Sequence, residues 1–219
     1  SFFAALVNAP LVDVSFAKNF SKNYFIGLAH FNKGQDDLAL EQFEEGLEKN
    51  PDFPELRRLY GHTLIRLGRP TAGLEQITIA RNLAPDYAPI RKDLGKLYKD
   101  KAEKLKAKID TGSNHNLPLA TKTELFEEIR QLQEIAISEY EAAEKYDPYD
   151  ESIKFQLALL YDQADYPNKF KKKLKEYAVL HMKENPDYAL GQVLDQLGRL
   201  NAAASHYKAA LKKASNKAD

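Results

Sequence analysis

Arg58, His62 and Arg66 stand four residues apart, and on a helix that spacing puts them on one face. Lys92, Lys96 and Lys99 share a face in the same way further along the chain. Cations placed like this suit the holding of an anion through charge-assisted hydrogen bonds. Catalytic patterns do not accompany them. The sequence has no glycine-rich phosphate loop, no His-Glu-x-x-His and no Gly-x-Ser-x-Gly. The five histidines, His30, His62, His115, His181 and His206, show no metal-ligand spacing within any one helix. There is no cysteine, which removes disulfides and thiolate-held metal. No catalytic residue, metal site or cofactor is therefore expected. Paired carboxylates such as Glu44 and Glu48 read as a solvated helix face. The Asn19-Phe20-Ser21 sequon is a chance match unless the chain enters a glycosylating compartment.

The elements that must carry these residues are visible in the punctuation. Pro51 and Pro85 are 34 residues apart, and their surroundings match: Leu47-Glu48-Lys49-Asn50-Pro51-Asp52 against Asn82-Leu83-Ala84-Pro85-Asp86-Tyr87. Tyr146-Asp147-Pro148-Tyr149 and Glu184-Asn185-Pro186-Asp187-Tyr188 repeat the signal after intervals of 63 and 38. Between prolines, apolar residues recur at helical spacing: Ile26, Leu28, Ala29 and Phe31, then Leu38, Ala39, Phe43 and Leu47. Lys33-Gly34 is a helix stop between the two runs. Helix, short turn, helix and a proline seam make one antiparallel hairpin, and a period near 34 means an array of them. Little alternation supports strands.

Lys+Arg and Asp+Glu are equal at 32 each over 219 residues, so no global charge draws the chain to nucleic acid or membrane. Locally the balance breaks. Residues 36–55 hold eight acids against one lysine, and residues 169–183 hold six lysines against one glutamate. These are either solvated faces or complementary contact surfaces. No apolar run reaches the roughly 18 residues of a spanning helix. The sequence leaves the compartment open and favours a soluble, cytoplasmic chain. With Ser1 first and Met182 the sole methionine, it reads as processed or excised, which leaves open an upstream signal peptide or anchor.

The repeats resemble the tetratricopeptide repeat, a helix–turn–helix unit of 34 residues. The first, about 20–53, supplies Ile26, Gly27, Ala39, Phe43 and Pro51, with Gly46 in place of an alanine and His30 in place of an aromatic. The second, about 54–87, supplies Tyr60, Gly61, Gly68, Ala80 and Pro85, with Gly73 and Ile77 as looser matches. The third, about 88–150, is split: Leu94, Gly95 and Tyr98 fit its first helix, and Ala136, Tyr140, Ala143 and Pro148 its second, with an insertion at about 102–130. The fourth, about 151–183, gives Leu157, Ala158 and Tyr161; the fifth, about 184–214, gives Leu197-Gly198-Arg199, Ala203, Tyr207 and Ala210. Small residues in this pattern let two helices approach, and the large ones fill what remains. The resemblance implies an all-α, right-handed solenoid of about five units, with residues 1–19 packed on the first. The insertion is mostly helical in type around a loop at 110–120, and Thr121 with Glu124 forms a capping-box signature. The third unit is thus expected to extend as a helical arm, about 15 Å for ten residues at the helical rise. His30 is expected as a packed core side chain.

In tetratricopeptide arrays one face of each first helix lines a concave groove. Carried over by register, that face is Tyr24, Leu28, Phe31 and Asn32; then Arg58, His62, Ile65 and Arg66; then Lys92, Lys96 and Lys99 beside Asp100; then Phe155, Leu159 and Asp162. The resemblance implies a noncatalytic scaffold or adaptor that takes a protein or peptide segment there, with an acidic or carboxyl-terminal group held by Arg58, Arg66, Lys92 and Lys96 and apolar contact from Tyr24, Leu28 and Phe155. The chaperone-binding subtype has a carboxylate clamp, whose positions here hold Tyr24, Leu28, Leu59, Pro89 and Asp93; none fits. Two alternatives stand beside this reading: a self-assembling structural protein using its acidic and basic faces, and a regulatory domain of a larger or membrane-anchored protein.

Overall fold

The computed structural model describes residues 14–110 and 118–215. They form ten helices and no strand: α1 Val14–Asn32, α2 Asp36–Lys49, α3 Pro54–Arg66, α4 Pro70–Leu83, α5 Ala88–Asp110, α6 Leu119–Tyr146, α7 Glu151–Gln163, α8 Pro167–His181, α9 Pro186–Gln196 and α10 Leu200–Ser215. The fold is an all-α solenoid of helix–turn–helix units. It divides into two compact units, Ser1–Leu94 and Gly95–Asp219, with α5 contributing to each.

In the first unit α1 pairs with α2 and α3 with α4, and α2 packs on α3. Ala39, Phe43, Leu56 and Leu59 form a core, with Tyr24, Leu28, Phe31, Leu47, Phe53 and Tyr60 packed around it. The pairing depends on missing side chains. A Cβ on Gly27 would lie 2.5 Å from the Phe43 ring. In α3 and α4 the approach is backbone on backbone: a Cβ on Gly61 would meet the Gly73 carbonyl oxygen at 2.7 Å, and one on Gly73 would meet that of Gly61 at 2.5 Å. Both are closer than van der Waals contact allows.

In the second unit α7 pairs with α8 and α9 with α10, while α6 packs on α7 and α8 on α9. Gly95 of α5 faces the Tyr140 ring of α6 as Gly27 faces Phe43. At 23 and 28 residues, α5 and α6 are far longer than α3 and α4, with 13 and 14. The excess is the expected arm. It has a small core of its own, in which Ala102, Ile129 and Leu132 are buried and Tyr98, Leu105 and Ile109 pack against them.

Helix ends follow local chemistry. Proline is the first residue of α3, α4, α8 and α9, where its missing N–H leaves no bond unmade. Asp150 caps α7 by accepting from the Ser152 and Ile153 backbone N–H groups, and Asn185 caps α9 by accepting from that of Tyr188. The turns after α1, α3 and α9 use Gly34, Gly68 and Gly198 at φ of 73°, 77° and 70°; the turn after α7 puts Asp165 there instead, at 57°.

Two expectations are corrected. α6 begins at Leu119, with Pro118 at its cap position and no side-chain cap bond, so Thr121 and Glu124 lie within its first turns and do not start it. His30 is half-exposed, its Nδ1 2.7 Å from Gln35 Oε1, because the polar turn at Lys33-Gly34 supplies a partner that the core does not. Pro186 marks its seam from the far side: the turn is Lys183–Glu184 and the proline opens α9, whereas Pro51, Pro85 and Pro148 lie in their turns. The expected packing of residues 1–19 on the first repeat lies outside what the structure describes, and so does the loop histidine His115.

Candidate functional site

Tyr24, Leu28 and Phe31 lie on α1, half-buried. Each is anchored on its inner side by the core and keeps an outer edge in solvent. The Tyr24 ring meets Phe53 edge-on at 5.7 Å between centroids, and Phe31 tilts against Phe43 at 6.5 Å. Arg66 of α3 lies over Phe31, its guanidinium 4.4 Å from the ring centroid, and its Nη1 donates to the Phe31 carbonyl oxygen at 3.1 Å. The same guanidinium grips Asp36, with Nε donating to Oδ2 at 3.1 Å and Nη2 2.8 Å from Oδ1.

Arg58 and His62, one turn apart on α3, converge on a carboxylate of α5. Arg58 Nη1 donates to Asp93 Oδ2 at 2.6 Å. His62 Nε2 lies 2.6 Å from the same oxygen and must be the donor, because a carboxylate only accepts. Arg58 also holds Glu55 with two parallel bonds, Nε to Oε2 at 2.9 Å and Nη2 to Oε1 at 2.8 Å. The group is mostly buried: Arg58, Asp93 and Glu55 retain 20%, 22% and 17% of their side-chain exposure. Burial pushes the Asp93 carboxyl up, but the hydrogen bond and charge of His62 and the charge of Arg58 outweigh it and leave the group below the ordinary aspartate value. Burial likewise works against the Arg58 cation, and Glu55 and Asp93 more than offset it, so its value rises. Tyr24 and Tyr87 are held neutral by burial and then by the nearby Glu55.

The arginines of the expected anion site are therefore already engaged by Glu55, Asp93 and Asp36 of this chain. Sequence reasoning missed these three as parts of the site. The signals were present: Glu55 is three residues before Arg58 on one helix, and Asp93 is 35 residues after it, one repeat period plus one. Lys92 is half-buried on α5, beside Asp93 in sequence. None of this chemistry resembles a metal cradle; no group of histidine, aspartate and glutamate among the described residues is placed to hold an ion.

In the second unit, Lys96 is exposed on α5. Lys99, half-buried, donates from Nζ to Gln156 Oε1 at 3.0 Å and stands 3.6 Å from Glu103. Phe155 and Leu159 are half-buried on α7, the Phe155 ring 5.1 Å from that of Tyr177. Asp162, at the end of α7, binds Arg199. No helix among the described residues is long and apolar enough to cross a membrane.

No model of a known protein family matches the sequence, and no curated protein matches it. Solved structures do match in fold. The chain is similar to TTC0263, a thermophilic TPR protein of Thermus thermophilus, with 23% identity, a TM-score of 0.58, and coverage of 90% of this chain and 92% of that one. It is similar to MamA residues 41–end from Desulfovibrio magneticus, with 16% identity, a TM-score of 0.58, and coverage of 92% and 98%. YrrB, a TPR protein with an unusual peptide-binding site, aligns at 16% identity and a TM-score of 0.54, over 81% of this chain and 74% of that one.

Proposed function

From a chain with the tetratricopeptide-repeat fold, we propose a noncatalytic interaction module that holds a peptide segment or partner protein on the solvent-facing sides of its first helices, the face expected to line the groove. The observation that carries this is the row Tyr24, Leu28 and Phe31: apolar side chains fixed from below by the core, with their outer edges in solvent. Rigid aromatic edges lose little freedom on binding, which makes them good anchors. YrrB, a neighbour in fold, has a peptide-binding site, which supports the reading. Arg58, His62 and Arg66 border the row as a preformed polar rim. A partner's acidic group competes there with Glu55, Asp93 and Asp36. In the second unit, Lys96 is exposed and makes no ion pair among the described residues. Phe155 and Leu159, with Lys99, offer a similar apolar and basic combination in the second unit.

Peptides selected from a displayed random library on the intact chain are expected to combine apolar residues with an acidic one. Tyr24→Ala with Leu28→Ala is expected to weaken the selected peptides by about tenfold or more in fluorescence polarisation. Lys96→Glu is expected to weaken the acidic ones selectively. Selected peptides that bind both variants as tightly as the parent would refute the reading.

A further inference from the structure

The lysines of α8 divide by partner. Lys169 donates to Glu141, and Lys173 to Glu144 and Glu176, so both turn inward to their own unit. Lys171, Lys172 and Lys175 are exposed and make no ion pair among the described residues; Lys183, just past the helix, is exposed as well. Val179 lies on the same outward face with 53% of its surface exposed. In the other unit, α2 carries the opposite charge outward. Asp37, Glu41, Glu44 and Glu48 fall at intervals of four, three and four, which is one helix face. Of these, among the described residues, only Glu44 has a partner, the Tyr60 hydroxyl that donates to it. Leu38 stands beside this stripe with 46% of its surface exposed.

From this complementarity we infer that α8 of one copy docks on α2 of a second copy of this chain, with the two helices antiparallel. The spacings agree. Lys171, Lys175 and Lys183 follow one another by four and eight residues; Glu48, Glu44 and Asp37, read in reverse, by four and seven. At the helical rise, Lys171 to Val179 on α8 and Glu48 to Leu40 on α2 each span roughly 12 Å. Setting Lys171 on Glu48 places Lys175 on Glu44 and Val179 beside Leu40, with Lys183, past the end of α8, toward Asp37. The chain's formal net charge of zero removes any general repulsion between copies. The contact is heterologous, so every copy in it keeps a further α2 or α8 face to offer. It does not use the first-helix face of the proposed partner site.

Exposed ion pairs contribute little each, so the association is weak and salt-labile. Sedimentation equilibrium of the full chain tests it, with concentrations up to on the order of 1 mM. The weight-average mass is expected to rise with concentration at about 10 mM salt and return to the monomer value at about 1 M. Reversing the lysines (K171E, K172E and K175E) or the acids (D37K, E41K and E48K) is expected to abolish the rise. An equimolar mixture of the two reversed proteins is expected to restore it, and far-UV circular dichroism confirms that each stays folded. A wild type that remains monomeric at low salt, a rise that survives both reversals, or a mixture that stays monomeric overturns the proposal. So does wild-type binding to phosphatidylserine vesicles without self-association, which would assign the lysines to a membrane surface.

Discussion

Asp93 joins two donors, Arg58 and His62, that helix periodicity alone aligns but does not tie to anything. Its carboxyl is depressed in the folded chain, so it binds protons less readily there than in the unfolded one. The resulting stabilisation is complete above the unfolded value, about pH 3.9, and is lost as pH falls through the lower folded value. Asp93→Asn is expected to destabilise the chain by about 1–3 kcal/mol in urea unfolding at neutral pH. The difference from the parent should begin to shrink below about pH 4, where the unfolded carboxyl takes up its proton, and should vanish once pH has fallen through the lower folded value. The cationic face was legible from residue spacing, since Arg58, His62 and Arg66 can only be neighbours on a helix. Its saturation was not, because Asp93 and Asp36 reach it from other helices and a single helix wheel does not show them.

The turns are where elements differ most from one another. Gly34, Gly68 and Gly198 take the left-handed conformation that a residue without a Cβ adopts freely; Asp165 takes it with a side chain. Asp165→Gly is therefore expected to raise the thermal midpoint, with a gain of about 0.5–1 kcal/mol after the greater chain entropy of glycine is counted. An unchanged or lowered midpoint would show that the Asp165 side chain holds that turn. The Gly34, Gly68 and Gly198 turns could be anticipated from Lys33-Gly34 and the paired Leu-Gly-Arg triplets. The Asp165 turn could be located by Pro167, which opens α8, but its conformation could not, since aspartate is at home in several turn geometries. The start of α6 was misplaced for a related reason. Thr121 and Glu124 satisfy the capping pattern, yet Pro118 ends the loop earlier and frees the helix to begin at Leu119.

Across the molecule, proline spacing disclosed both the repeat and its interruption. The 63-residue interval from Pro85 to Pro148 required extra residues in one hairpin, and α5 and α6 contain them as longer helices. What spacing could not show is that the extension has its own core. Because, among the described residues, only Ala102, Ile129 and Leu132 are buried there, its contribution is small and is offset by the freedom lost in ordering it. Replacing 102–130 with a glycine-rich turn of about four residues is expected to leave a cooperative unfolding transition within about 1 kcal/mol of the parent's. A transition that broadens or disappears would mean that the arm organises the helices at its base. Gly61 and Gly73 bear on how such a chain can diverge. Where a small residue faces a ring, as Gly27 faces Phe43, a lapse can be compensated by trimming the ring. Between α3 and α4 each glycine faces the other's carbonyl, so no second substitution restores the fit, and neither position has a suppressor to draw on.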